Sequence, residues 1–402
     1  MIIFFIRLSF VKKGGFWMIF VKTEDLKPGM RVAKPIYNKM GVLLYDRENP
    51  LTAQGVMSVQ NFGLIGLYIL EPAEPAPPIS EEEIEFEKFQ TIYMFRIKDI
   101  MDSVLGGKKP EGINLLIDTI IKRYGSLDHR FAFNQNLRTP EDYHYKHSLN
   151  VAILCAMISS RLNLNMEAKR GIVAAALLHD VGMLSVPRSL MEKSEAEFTD
   201  KDLKTLANCL QTGYQLLGPE SNLFDLPNIC LKILSQTSQY YYSPRFPDDR
   251  VIRWTVNSRI LQVANAFDNL TAMNLKQDPV SEIAAFRYLA EYPEFYDAKV
   301  VEALSDCIRI VPKGCCVELS NGERALVVKA NEQNFMAPVV LQFSDNKLLD
   351  LSNPIIASTH QIVDVMRTMD NRIEVDEDTV KQFVADNHLK SQLEKIKEGL
   401  KK

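Results

Sequence analysis

The sequence predicts a mainly α fold, a helical core with a small α+β module before it and a small β appendage after it. Three observations predict this. Between residues 81 and 310 apolar side chains recur at helical spacing. Before residue 71 and after residue 311 they shorten to brief runs separated by turns bearing Pro or Gly. The 402 residues are 46 % hydrophobic and 24 % charged, a globular composition that excludes extended disorder and leaves room for two or three domains.

The elements follow in order. Met1–Phe10 is apolar but holds Arg7, and it falls short of the roughly 20 residues a membrane span needs. No small-residue cleavage site follows it, so Met18 is the expected start of the chain and residues 1–17 are read as upstream of it. In module 1–71, Met18–Lys22, Val32–Tyr37, Gly41–Tyr45 and Leu67–Leu70 read as strands, Lys27–Met30 as a turn, and Thr52–Phe62 as a helix. Residues 72–80 form a linker, because the run from Glu71 to Pro78 has four prolines and proline stiffens the chain. The acidic run Glu81–Glu87 opens a helix whose first turn suits negative charge.

Within 81–310, helices are expected at Ile113–Arg123, Ser148–Leu162, Met166–Asp180, Asp200–Leu217, Val251–Thr271, Val280–Tyr292 and Asp297–Ile308. Residues 311–352 switch to strands at Cys316–Leu319, Arg324–Ala330 and Ala337–Phe343, with Ser320-Asn321-Gly322 as a hairpin turn. Segment 353–402 ends in an amphipathic helix, Asp376–Lys402, suited to docking on the body or to pairing in a homodimer.

Charge and cysteine usage limit the function classes. The net charge of −4, from 47 Lys+Arg against 51 Asp+Glu, supplies no global reason to bind nucleic acid or an anionic membrane. No segment reaches spanning length. Six cysteines without a CxxC spacing point to a reducing, cytoplasmic setting.

The sharpest local feature is Leu177-Leu178-His179-Asp180-Val181-Gly182, an apolar helix that ends in adjacent His and Asp. Burying that pair is costly unless a partner such as a divalent metal accepts it. His147, in Tyr143-His144-Tyr145-Lys146-His147-Ser148, lies near the start of another helix and is suited to face the same site. His144 beside it is a further ligand candidate, against the plainer reading of a surface or helix-cap histidine. Asn265 and Asp268, in Val263-Ala264-Asn265-Ala266-Phe267-Asp268, put polar groups on a third helix, and Asp268 is equally open to a purely structural reading. Tyr241 and Arg245 are candidates to stack a base and grip a phosphate, against the plainer reading of a loop packed on the core.

These segments together resemble the HD-GYP family of HD-domain metallohydrolases. The first is similar to the family's YxYxHSxNV stretch, the second to LLHDxGKxxxP, and the third to VADxxDALT. The resemblance implies cyclic di-GMP hydrolysis at a site of two or three iron or manganese ions. It matches His147, His179 and Asp180 to metal ligands. At the remaining positions this chain departs from the family. Met183 replaces its lysine, Cys209 its next histidine, and Asn265 the aspartate of VAD. Thr237-Ser238-Gln239 falls where the family has HHE, and Tyr143 where three-metal members carry Glu. The expectation is therefore a bacterial cyclic di-GMP signalling protein with a largely lost metal site, a non-catalytic sensor or partner-binding module. Its ligand would be cyclic di-GMP or a signalling protein. Its metal would be one divalent ion (iron, manganese or zinc) held by His147, His179 and Asp180 with Asn265 or Cys209, or none. An active phosphodiesterase with a rebuilt site and a scaffold without nucleotide ligand are the alternatives.

Overall fold

The computed structural model describes residues 18–365, apart from 38–41, 62–65, 71–79, 137, 140, 192, 194–196, 219–225, 242–253, 273–278, 332 and 346. The expected upstream stretch 1–17, most of the linker, Arg245 and the tail helix from Asp376 lie outside the described residues.

The N-terminal strands are β1 (Met18–Lys22), β2 (Arg31–Val32), β3 (Ile36–Tyr37), β4 (Leu43–Tyr45) and β5 (Gly66–Leu70), with helix α1 (Ala53–Asn61) before β5. β5 lies antiparallel between β1 and β2, while β3 and β4 form a separate ribbon. Val56 and Val59 of α1 pack with Leu26, Val32, Leu51, Leu67 and Ile69 in a small core of their own. The expected Lys27–Met30 turn is present, and Gly29 adopts a φ of +92° that other residues rarely take.

Eleven further helices follow among the described residues. The first four are α2 (Glu81–Leu105), α3 (Ile113–Tyr124), α4 (Tyr143–Arg161) and α5 (Met166–Leu178). Then come α6 (Arg188–Met191), α7 (Asp200–Leu217), α8 (Asn228–Tyr241), α9 (Val256–Thr271), α10 (Glu282–Glu291) and α11 (Ala298–Cys307). The short α12 (Pro354–Ala357) lies within the C-terminal β region. Local chemistry sets most helix starts. Ser80 with Glu83 and Thr199 with Asp202 form reciprocal capping boxes on α2 and α7. Asn165, Thr255, Ser281 and Asp297 cap α5, α9, α10 and α11 through their side-chain oxygens.

Helix α4 is the axis of the core. Every residue from His144 to Ser159 is buried, as expected of a helix surrounded by others, here α2, α3, α5, α9 and α11. Glycine at 171 lets α5 close on α8, since a Cβ there would collide with Ile229. The C-terminal strands β6 (Cys316–Leu319), β7 (Arg324–Lys329), β8 (Val339–Gln342), β9 (Leu348–Asp350) and β10 (Ile362–Val365) form one antiparallel sheet. Their order is β10-β6-β7-β8-β9. This is the mainly α architecture with terminal β modules that the pattern predicts, except that the sheet gains β9 and β10 and, through the pairing of β10 with β6, extends past the expected boundary at residue 352.

α4 and α8 are among the helices that differ from expectation. α4 starts at Tyr143 rather than Ser148, because its polar first turns are buried with their groups paired. α8 was not expected. Its run Ser235–Tyr241 is polar, but Cys230, Ile233 and Leu234 give it a buried face. Among the described residues no helix is long and apolar enough to cross a membrane.

Candidate metal centre

Three helices bring the site together. α4 contributes His144 and His147, one turn apart. The residues just past α5 contribute His179 and Asp180, and α9 contributes Asn265 and Asp268. The run from Gly171 to Leu178 is buried throughout, so the end of α5 lies inside the protein. His179 and Asp180 therefore emerge in the core and not at a surface terminus.

His179 Nδ1 lies 2.8 Å from the Ala176 carbonyl, which can only accept, so Nδ1 carries the proton. Its Nε2 is buried and makes no hydrogen bond. Burial pushes the His179 pKa down, although Asp180 and a polar approach by Asn265 partly oppose this. The result is a neutral imidazole with a bare, inward nitrogen, the state a metal requires of its ligand.

His147 is set the same way by a carboxylate. Its Nδ1 donates to Asp268 Oδ2 at 2.6 Å. Asp268 is fully buried, and its Oδ1 accepts from Arg138 Nη2 at 2.7 Å, Gln135 Nε2 at 3.0 Å and Asn150 Nδ2 at 3.2 Å. Burial alone would raise the Asp268 carboxyl, but Arg138 and His147 reverse this and hold it far below the usual range. A carboxylate behind a histidine fixes its tautomer and raises its basicity, an arrangement common behind metal ligands. The Tyr143 ring stacks on His147, and its hydroxyl, pushed up to about 12 by burial, donates to Asn269 Oδ1 at 2.8 Å.

Asp180 faces both imidazoles. His147 Nε2 is 3.7 Å from Asp180 Oδ2, and His179 Nε2 is 3.6 Å from Asp180 Oδ1. A tetrahedral ion with arms of about 2.1 Å has ligands about 3.4 Å apart. The donor atoms of His147, His179 and Asp180 all lie within 4.8 Å of one another. Spacing, protonation and the bare Nε2 of His179 thus fit one divalent cation. His144 Nδ1 also donates to Asp180 Oδ2, at 3.0 Å. Burial would raise the Asp180 carboxyl, but the surrounding imidazoles, with His144 donating directly, hold it far below the usual range.

The remaining expected site residues are placed as follows. Asn265 is buried on α9, and its Oδ1 accepts from Asn269 Nδ2 at 3.1 Å. Cys209 lies outside the cluster, with its thiol 3.7 Å from the Ser185 carbonyl and raised in pKa by burial. The cause is backbone packing. Gly182 and Gly213 touch, and a Cβ on Gly182 would collide with the Cys209 carbonyl, so α7 presents its backbone to this turn. Thr237 donates to the Ile233 carbonyl of its own helix at 2.9 Å. Tyr241 ends α8, and its side chain lies outside the described residues.

Sequence reasoning reads His144 as a surface or helix-cap histidine; the structure puts it in the first turn of α4 but buries it against Asp180. Its three-residue spacing from His147 would have revealed it once the helix was begun at Tyr143. Arg138, fully buried opposite Asp268, was missed, since nothing local marks a partner 130 residues away.

Residues 127–300 match the family model described as HD domain. The chain is 24 % identical over 208 residues to cyclic di-GMP phosphodiesterase PA4108 of Pseudomonas aeruginosa, covering 52 % of this chain and 49 % of that protein. It is 25 % identical over 214 residues to cyclic di-GMP phosphodiesterase PdeB of Borreliella burgdorferi, covering 52 % and 55 %. Residues 127–300 are thus similar to HD domains, and the two relatives that match this region are named cyclic di-GMP phosphodiesterases. The matched region spans about half the length of these two relatives. Among solved structures, Bd1817, a HDG"Y"P protein from Bdellovibrio bacteriovorus, aligns over 72 % of this chain and 98 % of its own, with 14 % identity and a TM-score of 0.43. The segment 127–300 that matches the HD domain contains His147, His179, Asp180, Asn265 and Asp268.

Proposed function

We propose that this chain is an HD-GYP protein that acts in bacterial cyclic di-GMP signalling as a sensor or partner-binding module with room for a single divalent ion. It binds the dinucleotide or a signalling protein and does not hydrolyse cyclic di-GMP as a two-metal enzyme. One observation carries the reading. Three donors converge on one point, while two of the residues standing where the family resemblance places further ligands are committed elsewhere, Cys209 toward Ser185 and Thr237 toward Ile233.

His147, His179 and Asp180 would hold the ion. Two imidazoles and one carboxylate suit iron, manganese or zinc. A single bound cation supplies positive charge for a phosphate, whereas in-line displacement with two ions also stabilises the attacking and leaving oxygens. His144 in turn occupies Asp180 Oδ2, one of the two oxygens with which an aspartate bridges a pair of ions. The relatives named above are called cyclic di-GMP phosphodiesterases, and this supports the dinucleotide as the ligand class.

The test uses the full chain with iron, manganese or zinc supplied. Calorimetric titration with cyclic di-GMP is expected to show binding, and chromatography of the incubated nucleotide to show no product. Steady turnover lost on His179→Ala would overturn the reading in favour of an active phosphodiesterase. Neither binding nor turnover would leave a scaffold without nucleotide.

A further inference from the structure

Helix α2 contributes no ligand to the centre, yet its buried face is not wholly apolar. Gln90 is 2 % exposed and lies among Phe86, Phe89, Met94 and Ile97. A buried amide is costly unless it is hydrogen-bonded. Gln90 Nε2 donates to Asn150 Oδ1 on α4 at 2.9 Å and to the Asn134 carbonyl at 3.3 Å. Asn150, fully buried, donates through Nδ2 to Asp268 Oδ1 at 3.2 Å and to Gln135 Oε1 at 3.0 Å. Asp268 accepts from His147 Nδ1 at 2.6 Å. Three consecutive hydrogen bonds therefore join α2 to the imidazole, through side chains that are all nine-tenths or more buried.

The chemistry gives this path a direction. The Asp268 carboxylate only accepts, so Asn150 must turn its NH2 toward α9 and its carbonyl toward α2. That carbonyl needs a donor, and Gln90 supplies it. Without Gln90, the Asn150 carbonyl is left buried without that donor, and the amide is no longer held from the α2 side in the place from which it donates to Asp268. The carboxylate would then lose one of the groups that hold its position behind His147. A second link runs in parallel. Glu83 of α2 accepts from Asn134 Nδ2 at 2.8 Å, and the next residue, Gln135, donates to Asp268.

We propose that Gln90 is a positioning residue for the metal centre, acting through Asn150 and Asp268 on His147, so that helix α2 tunes how tightly the site holds a divalent cation. The inference rests on the reading of His147, His179 and Asp180 as a metal site. A hydrogen-bonded path alone does not establish coupling, so the test is thermodynamic.

In the full chain, Gln90→Met keeps the volume and removes the donor. Zn²⁺ and Mn²⁺ affinities are measured by chelator competition, and the His147 Nδ1–H signal by NMR of the metal-free protein. The expected result is a folded variant, a shifted His147 signal and metal affinity reduced about tenfold, the low end of the loss seen when outer-shell partners of a metal site are replaced. Adding Asn150→Leu should then cost less than it does alone, because both residues act on one path. Should Gln90→Met not fold, Gln90→Leu removes the donor with a shorter apolar side chain and carries the test. Affinity within twofold of the parent, with the His147 signal unmoved, overturns the proposal. A parent chain that takes up neither ion overturns the metal reading and the tuning with it, and a His147 signal still shifted by the substitution then distinguishes that failure from a broken path.

Discussion

Replacing Asp268 by Asn changes one atom and unsettles two assignments. The carboxylate uses Oδ1 for Arg138, Gln135 and Asn150 and Oδ2 for His147. An amide has one oxygen. Turned toward Arg138, it presents its NH2 to His147 Nδ1, which must then give up its proton. The imidazole adopts the Nε2–H form, and the nitrogen facing Asp180 loses its lone pair. Turned toward His147, it presents NH2 to a guanidinium and two further amide donors. Either way Arg138, whose side chain is 0 % exposed, keeps its charge without an anionic partner. Breaking a buried pair by removing one member costs about 3–5 kcal/mol. Loss of a carboxylate behind a metal-ligating histidine lowers affinity about 10–100-fold. Urea denaturation followed by circular dichroism reads the first effect, and Zn²⁺ competition with a chelator reads the second. A variant whose midpoint and Zn²⁺ affinity both match the parent would refute the role assigned to Asp268.

Three further predictions follow from single contacts. His129 Nε2 lies 2.6 Å from Glu82 Oε1 and Nδ1 lies 3.1 Å from Asp128 Oδ1, and these hydrogen bonds raise its pKa. A raised histidine pKa contributes stability that is fully present below its unfolded value, about 6.5, and lost as pH rises through the folded one. The destabilisation caused by His129→Gln should therefore be larger at pH 5.5 than at pH 9, and an equal difference at both would contradict this. Gly182→Ala drives a Cβ into the Cys209 carbonyl and the Leu210 Cα, backbone atoms that cannot yield cheaply, and should cost about 1–3 kcal/mol in chemical denaturation. An unchanged midpoint would mean that α7 can move away from this turn. Cys209→Ser should leave metal affinity within about twofold, since the thiol faces Ser185, and a loss of about tenfold or more would place Cys209 among the ligands.

What could be read in the sequence followed the range of the forces involved. The His179-Asp180 pair was legible because an apolar helix cannot end in two polar groups without a buried use for them. His147 was legible through its place in an ordered set of motifs. The supporting groups were not. Arg138 and Asp268 meet across 130 residues, and only the folded chain shows that Asp268 orients a histidine. The burial of His144 was not legible because the expected helix began at Ser148, although the polar side chains of Tyr143, His144 and His147 are paired in the core. Cys209 stands where the family resemblance places a ligand, yet the Gly182–Gly213 contact turns the backbone and not the thiol toward that region. In α8, polar residues after Leu234 obscured a helix whose apolar face is short.

The central claim is a site for one divalent ion. Its most direct test is the metal content of the full chain by mass spectrometry, after anaerobic expression with iron and manganese supplied and a second preparation loaded with zinc. The account predicts close to one ion per chain, lost on His179→Ala while the protein stays folded. Two ions per chain, or one that survives His179→Ala, would contradict it.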